Sequence, residues 1–439
     1  MTFALTPRRR LVAAILCAFG LGLALTALAQ RDASPTTAPT AASLAGTARP
    51  AAGTQAEIAR LQAVARRAPT AAEPRVELAA AYLQRVRETF DPTLYNRADA
   101  LLRDVLAREP RNSGALVERA GIALSRHDFR LGLALARQAR RLEPSATAAL
   151  PPLVDAEVEL GRYDAAERTL QRLADLRPNL SAYARVSYLR ELHGDLGGAA
   201  SALALAAAAG GPAAENGAAI EVLRGDLAVV RGRRASARDA YSMALALVPH
   251  YAAAEAGRAR LAAGAGDLPG AVARWRRLVA RLPLPEYAIA LGEAELAAGR
   301  PQAARRDLAL VHAEQALLAR AGVNTDTELA LFEADHGDRA RGLRLARRAW
   351  AAAPSVRSAD ARGWALTRAG RPAEGLAWAR RARRLGSADP MFAYHAGIAA
   401  LETGNARAGR RLLRSALAHG LATRPWHARA ARHALGGVR

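Results

Sequence analysis

The chain has 439 residues, 51% apolar and only 5% aromatic, and 63 basic residues against 40 acidic ones give it a formal charge of +23. Alanine and leucine dominate and β-branched runs are scarce, a balance that favours helix and disfavours sheet. The lone cysteine, Cys17, excludes an internal disulfide and a thiolate metal cage, and all 63 basic residues are arginine, which codon usage explains as well as function does.

Arg8, Arg9 and Arg10 precede an unbroken apolar stretch, Leu11 to Ala29, and Ala27-Leu28-Ala29 before Gln30 fits the cleavage pattern of a secretory signal. Residues 1–29 are therefore expected to be a signal peptide and the protein to be periplasmic. The same stretch nearly spans a bilayer, so an inner-membrane anchor over residues 11–29 stays open as the alternative. Cleavage would remove Cys17 and three arginines but no acid, lowering the charge from +23 to +20. Residues 30–54 are mostly Ala, Thr, Pro, Ser and Gly and are expected to be a flexible linker.

From about Gln55 helical patterns follow one another without strand alternation. Pro110, Pro144, Pro178 and Pro212 are each 34 residues apart, and Pro249 and Pro283 repeat that interval. Glycine-centred turns run in phase with them, at Gly161, Gly194, Gly232, Gly266, Gly299, Gly337, Gly370 and Gly404. Glycine ends a helix because it enters the left-handed region without steric cost. Small residues twelve before the closing proline, including Gly132, Ala166, Ala200, Ala237, Ala271 and Gly342, mark where two helices approach closely. Upstream partners are expected in the pairs Gly225 with Ala237, Gly292 with Ala304, Gly363 with Gly375 and Gly397 with Gly409.

A 34-residue period, a glycine turn, Ala-x-x-x-aromatic (Ala237 to Tyr241, Ala271 to Trp275) and a terminal proline together resemble the tetratricopeptide repeat family. The resemblance implies an all-α, right-handed α-solenoid of about ten antiparallel helix-turn-helix repeats over residues 55–424, with residues 425–439 as a C-terminal capping helix and tail. The beat slips near residues 89–96, 210–216 and 312–324, where longer loops or a change of superhelical pitch are expected.

The sequence holds no phosphate-cradling glycine loop, no Gly-x-Ser-x-Gly and no paired histidines at helical metal spacing. The nine histidines are scattered and read as surface or capping residues, so no catalytic residue, cofactor or metal is expected. Binding is the natural alternative. The resemblance implies a concave groove lined by first helices, and carrying its register over gives Asp155, Glu159, Arg185, Glu293, Arg357, Asp360, Trp364, Arg368 and Tyr394 as groove residues for a peptide or helix of a protein partner. Asp155 and Glu159 read as a solvated groove wall, while Trp364 is either an anchor or a residue packed between helices. Second helices, the convex wall of this architecture, carry Arg274, Arg277, Arg341, Arg344, Arg348, Arg380, Arg384 and Arg411. Such a basic ridge suits anionic lipid or polysaccharide, whereas nucleic acid is disfavoured because no aromatics interleave for base stacking. The reading is a non-enzymatic envelope scaffold; the alternative is a membrane-anchored accessory subunit of an envelope assembly or export machine.

Overall fold

A computed structural model describes residues 53–211 and 213–436. The expected signal peptide, the linker up to residue 52, Pro212 and the last three residues lie outside the described residues. Helix α1 (Thr54–Arg67) begins at the end of the expected linker and packs Ile58 and Leu61 on the next helix.

Ten antiparallel hairpins follow among the described residues. They are α2 (Ala72–Thr89) with α3 (Thr93–Arg108), α4 (Ser113–Ser125) with α5 (Phe129–Leu142), α6 (Leu150–Glu159) with α7 (Tyr163–Leu176), α8 (Leu180–Leu192) with α9 (Leu196–Ala209), and α10 (Ala214–Val230) with α11 (Arg234–Leu247). The second half comprises α12 (Ala252–Gly264) with α13 (Leu268–Arg281), α14 (Pro285–Ala297) with α15 (Pro301–Leu308), α17 (Asp326–His336) with α18 (Arg339–Ala352), α19 (Val356–Arg368) with α20 (Pro372–Ala382), and α21 (Pro390–Glu402) with α22 (Ala406–Ala418). Between α15 and α17 lies an additional helix, α16 (Leu310–Arg320), and a short 3-10 turn at Leu421–Thr423 leads into α23 (Pro425–Gly436). No strand occurs among the described residues, and none of their helices is long and apolar enough to cross a membrane. The chain is an all-α, TPR-like solenoid.

Seven of the eight turn glycines adopt φ between +69° and +87°, as left-handed helix ends require. Gly337 departs from the expectation: its φ is −130°, and what it needs is room, because a side chain there would meet the Glu333 carboxylate, which accepts from the Asp338 N–H at 2.8 Å. The turn residue, rather than the proline, sets the phase of the small positions. Five residues after each turn lie Gly132, Ala166, Ala199, Ala237, Ala271 and Ala304, and the buried residue in α9 is Ala199 rather than Ala200. Gly363 with Gly375 and Gly397 with Gly409 do face each other across their hairpins, where a Cβ would press on the opposite backbone. Gly225 and Gly292 instead make room for Tyr241 and Leu308, and Gly257 gives Tyr241 its space on the other side.

The slips have distinct causes. Near 89–96 the chain turns through Phe90, which holds φ 59° and buries its ring. The excess near 210–216 is taken up by a long α10. At 312–324 the second helix breaks at Ala309, and α16 folds back onto α14 through Val311 and Leu318.

The array coils tightly enough to touch itself. The Asn324 N–H donates to the Arg126 carbonyl at 3.0 Å, and Arg130 donates to the carbonyls of Ala351 and Ala352 at 2.7 and 3.0 Å. The Val356 N–H donates to the Tyr163 hydroxyl at 2.8 Å, Gly194 abuts Gly386, and Gly420 abuts Val229. Hairpin turns of the first half thus meet inter-hairpin loops of the second half, edge to edge. The C-terminal helix is more than an end cap. It packs on α14 and α21, while the 3-10 turn before it packs on α12.

Candidate functional site

Closure determines what the inner face can do. Leu150 to Val158 of α6 are all buried, and α19 is buried along nearly its whole length. A first helix covered on every side faces other helices of the same chain. The residues expected to line an open groove therefore form a buried polar seam, and the solvated-wall reading of Asp155 and Glu159 is corrected: Asp155 is buried and Glu159 half-buried.

In the first part of the seam, Arg185 Nε and Nη2 donate to the two Asp155 oxygens at 2.8 and 2.7 Å, and Nη1 donates to the Ser181 carbonyl at 3.1 Å. Arg185 is only 2% exposed. Burial pushes the Asp155 carboxyl up to about 6, against the pull of Arg185. Next to it, burial raises Glu159 and Arg357 opposes the rise, while Tyr188 shares Arg357.

The second part gathers Glu293, Asp360, Trp364, Arg368 and Tyr394. Trp364 is 1% exposed, so of its two readings the packed one holds. Its indole N–H donates to Asp335 Oδ1 at 2.9 Å, its ring stacks on His395 at 4.3 Å, and Arg368 lies over it at 5.5 Å. His395 Nδ1 lies 2.8 Å from Asp360 Oδ2. His336 Nε2 lies 3.2 Å from Glu293 Oε1, and His427 of α23 places Nδ1 3.5 Å from Glu293 Oε2 and Nε2 3.3 Å from Asp335 Oδ2. Burial opposes ionisation of Glu293 and Asp335, but the imidazoles outweigh it and hold both carboxyls below their usual range. Burial likewise opposes a charge on His336, yet Glu293 raises it. The reading of the histidines as surface or capping residues is corrected for His336, His395 and His427, all of which are buried against carboxylates. Asp335 and His336 were legible as the end of a first helix just before Gly337. His427 was not, because nothing local indicates that α23 returns to α14.

The outer wall presents the ridge. Arg277, Arg380 and Arg411 are exposed, and none has an ion pair among the described residues; Arg274 is half-buried. Others are partly neutralised: Arg341 meets Glu333 at 3.1 Å, Arg344 lies 4.0 Å from Asp338, Arg348 grips Asp326 at 2.7 and 3.0 Å, and Arg384 lies over the Tyr163 ring. Like charges crowd. Arg362 is held below its usual range by burial and then by Arg347, Arg381 and Arg371, and Arg383 by burial and then by Arg411. Two half-buried tryptophans, Trp350 and Trp378, meet edge to face at 4.7 Å. Arg381 lies over both rings and Arg362 over Trp378 at 4.0 Å. Further along the wall, α9 carries no charged side chain and exposes Leu205, while α11 exposes Met243 and Leu247.

No family model matches the chain, and no curated protein matches it. Solved structures to which it is similar include that of the APC/C hetero-tetramer Cut9-Hcn1 (16% identity, TM-score 0.34, 78% of this chain). A tetratricopeptide repeat protein from Parabacteroides merdae (18%, TM-score 0.32) is matched over 58% of this chain and 97% of that one. The human IFIT1 dimer with m7Gppp-AAAA (15%, TM-score 0.37) is matched over 83% of this chain and 76% of that one. The chain spans 59% of the Cut9-Hcn1 chain it matches. The repeat architecture rests on the hairpins described above.

Proposed function

We propose that the chain is an exported, non-enzymatic scaffold of the bacterial envelope that docks an acidic protein surface on its outer wall. The observation that carries this reading is the contrast between its two faces. Inner polar groups such as Asp155 with Arg185 and Asp335 with Trp364 are paired within the chain, whereas the outer wall carries crowded arginines beside a tryptophan pair. Arginine and tryptophan are the usual anchors of protein interfaces, and the neighbouring apolar surface of α9 and α11 suits a protein better than a polyanion of uniform charge. Export is supported by the arginines and apolar stretch of residues 8–29. The second reading has residues 11–29 as an anchor and the same arginines on anionic lipid or polysaccharide; the like-charge crowding favours it.

The test compares the wild-type chain with R277E/R380E/R411E on a polyglutamate peptide, on phosphatidylglycerol vesicles and on heparin. Loss of peptide binding with a shallower salt dependence supports the scaffold reading. Vesicle or heparin binding alone supports the second reading. Equal binding by both chains on all three probes removes the wall from consideration. The mass of the exported protein tests cleavage before Gln30.

A further inference from the structure

The arginines of the outer wall differ in how they are held. Trp350 lies near the end of α18 and Trp378 in α20, and Arg362 reaches Trp378 from α19, the first helix between them in the chain. Arg362 lies over the Trp378 ring at 4.0 Å, and Arg381 lies over Trp378 at 5.0 Å and over Trp350 at 5.3 Å. We propose that Arg362 and Arg381, held on the Trp350–Trp378 pair, clamp two carboxylates of one extended acidic segment of a partner protein, an inference that builds on the outer wall as the docking face.

Three observations support the clamp. The first is how the donors are presented. A guanidinium laid over an indole uses its face there and keeps its in-plane N–H donors for a carboxylate. Of the Arg362 donors only Nε is enclosed without a partner, so the two terminal nitrogens remain for a ligand. The second is the lack of acids. Neither the Arg362 nor the Arg381 side chain has a hydrogen bond or ion pair among the described residues. The carboxylate beside them, Glu374, is gripped by Arg371 at 2.6 and 2.7 Å. Exposed Arg347 adds another guanidinium without an ion pair.

The third observation is spacing. Both guanidiniums lie within 5.0 Å of the Trp378 ring centre. In an extended segment, side chains two residues apart share a face and stand roughly 7 Å apart, a span that two such guanidiniums can meet. The open edges of the half-buried indoles add apolar contact beside the acids. Charge points the same way. Burial first, and then Arg347, Arg381 and Arg371, hold Arg362 below its usual range, and incoming carboxylates relieve that repulsion. Arg277, Arg380 and Arg411 are exposed with no ring beneath them among the described residues, so they offer charge without a fixed orientation.

The test titrates a polyglutamate peptide into the full chain at about 0.15 M salt, with R362K/R381K beside R277K/R380K/R411K. Lysine keeps the charge and loses the planar fork. R362K/R381K should weaken binding at least about tenfold, and R277K/R380K/R411K by less than about twofold. Equal weakening of the two variants, or R362K/R381K within about twofold of the wild type, overturns the clamp. If R277E/R380E/R411E still loses the peptide in that case, docking on the wall stands without it. A wild type that does not bind the peptide removes both. Should R362K/R381K lose helicity by circular dichroism, tryptophan emission decides. Saturating peptide should shift the emission of the wild type and not of W350F/W378F; a shift that persists in that variant, or none in the wild type, overturns the clamp. Inorganic phosphate that displaces the peptide at equal concentration overturns it in favour of a phosphoryl ligand.

Discussion

Replacing Gly194 by alanine tests whether the coil closes on itself in solution. Gly161, Gly194, Gly232 and Gly266 all hold left-handed φ, from +69° to +87°. An alanine at any of them costs about 1–2 kcal/mol for the conformation and regains about 0.4–1 kcal/mol from a less flexible unfolded chain. The four sites differ in what the new methyl group meets. At Gly194 it would lie 2.5 Å from the Gly386 carbonyl oxygen, and at Gly161 it would press on the Pro354 carbonyl; at Gly232 and Gly266 nothing lies within 4 Å. Forcing atoms into a filled space costs about 1–3 kcal/mol. G232A and G266A should therefore lose about 1 kcal/mol, and G161A and G194A about 2–4 kcal/mol. Urea midpoints followed by circular dichroism measure the difference within this matched set. Hydrogen exchange locates it: the Val356 amide opens α19, where no intrahelical acceptor exists, and its partner is the Tyr163 hydroxyl. That amide should be protected in the wild type and exposed in G161A but not in G266A. Equal midpoints across the four variants, or a Val356 amide that exchanges freely in the wild type, would refute the closed coil.

W364A should cost about 3–5 kcal/mol and lower the melting temperature, because it empties a core site and leaves Asp335 Oδ1 without its donor; a variant with unchanged stability would return Trp364 to a binding role. Stability should fall as pH rises from about 5 to 9. Burial pushes Glu191, Glu286 and Glu314 each up to about 8, so the folded chain holds protons that the unfolded chain has released across the window from the ordinary carboxylate range to about 8. E191Q and E286Q should flatten that slope and gain roughly 1–3 kcal/mol each at pH 9, measured by urea unfolding across the pH range. Y241F should cost about 1 kcal/mol through loss of the 2.6 Å hydrogen bond to Asp226, with Arg260 still holding that carboxylate.

Local regularity made the hairpins legible. The turn glycines and the small residues five positions on are short-range requirements of helix ends and close helix packing, so they print directly into the sequence, and the Ala199 correction arose from counting back from a proline across an irregular segment. The inward register was also legible: Asp155 with Arg185, and Trp364 with Asp335, sit about one repeat apart and do meet. What the pattern did not carry is the tightness of the coil. The number of hairpins per superhelical turn comes from small packing angles accumulated over many repeats, and no single residue encodes it. His127 meeting Asn324 and His427 meeting Glu293 are consequences of that accumulated curvature.

Closure changes which face is available for recognition. A ligand entering the seam would have to break pairs that are already made, such as the two-pronged Arg185 on Asp155 or His395 Nδ1 on Asp360 Oδ2. Separating one buried pair leaves an uncompensated charge and costs about 3–5 kcal/mol, so invading two of them consumes most of the free energy of a micromolar complex, about 8 kcal/mol. The inner charges are better explained as the device that holds successive turns in register. On the proposed reading docking falls to the outer wall, where Arg277, Arg380 and Arg411 are exposed with no ion pair among the described residues and where Trp350 and Trp378 lie beneath arginine. The buried pairs of the inner face thus stabilise the coil, and the proposed recognition is assigned to the outer face.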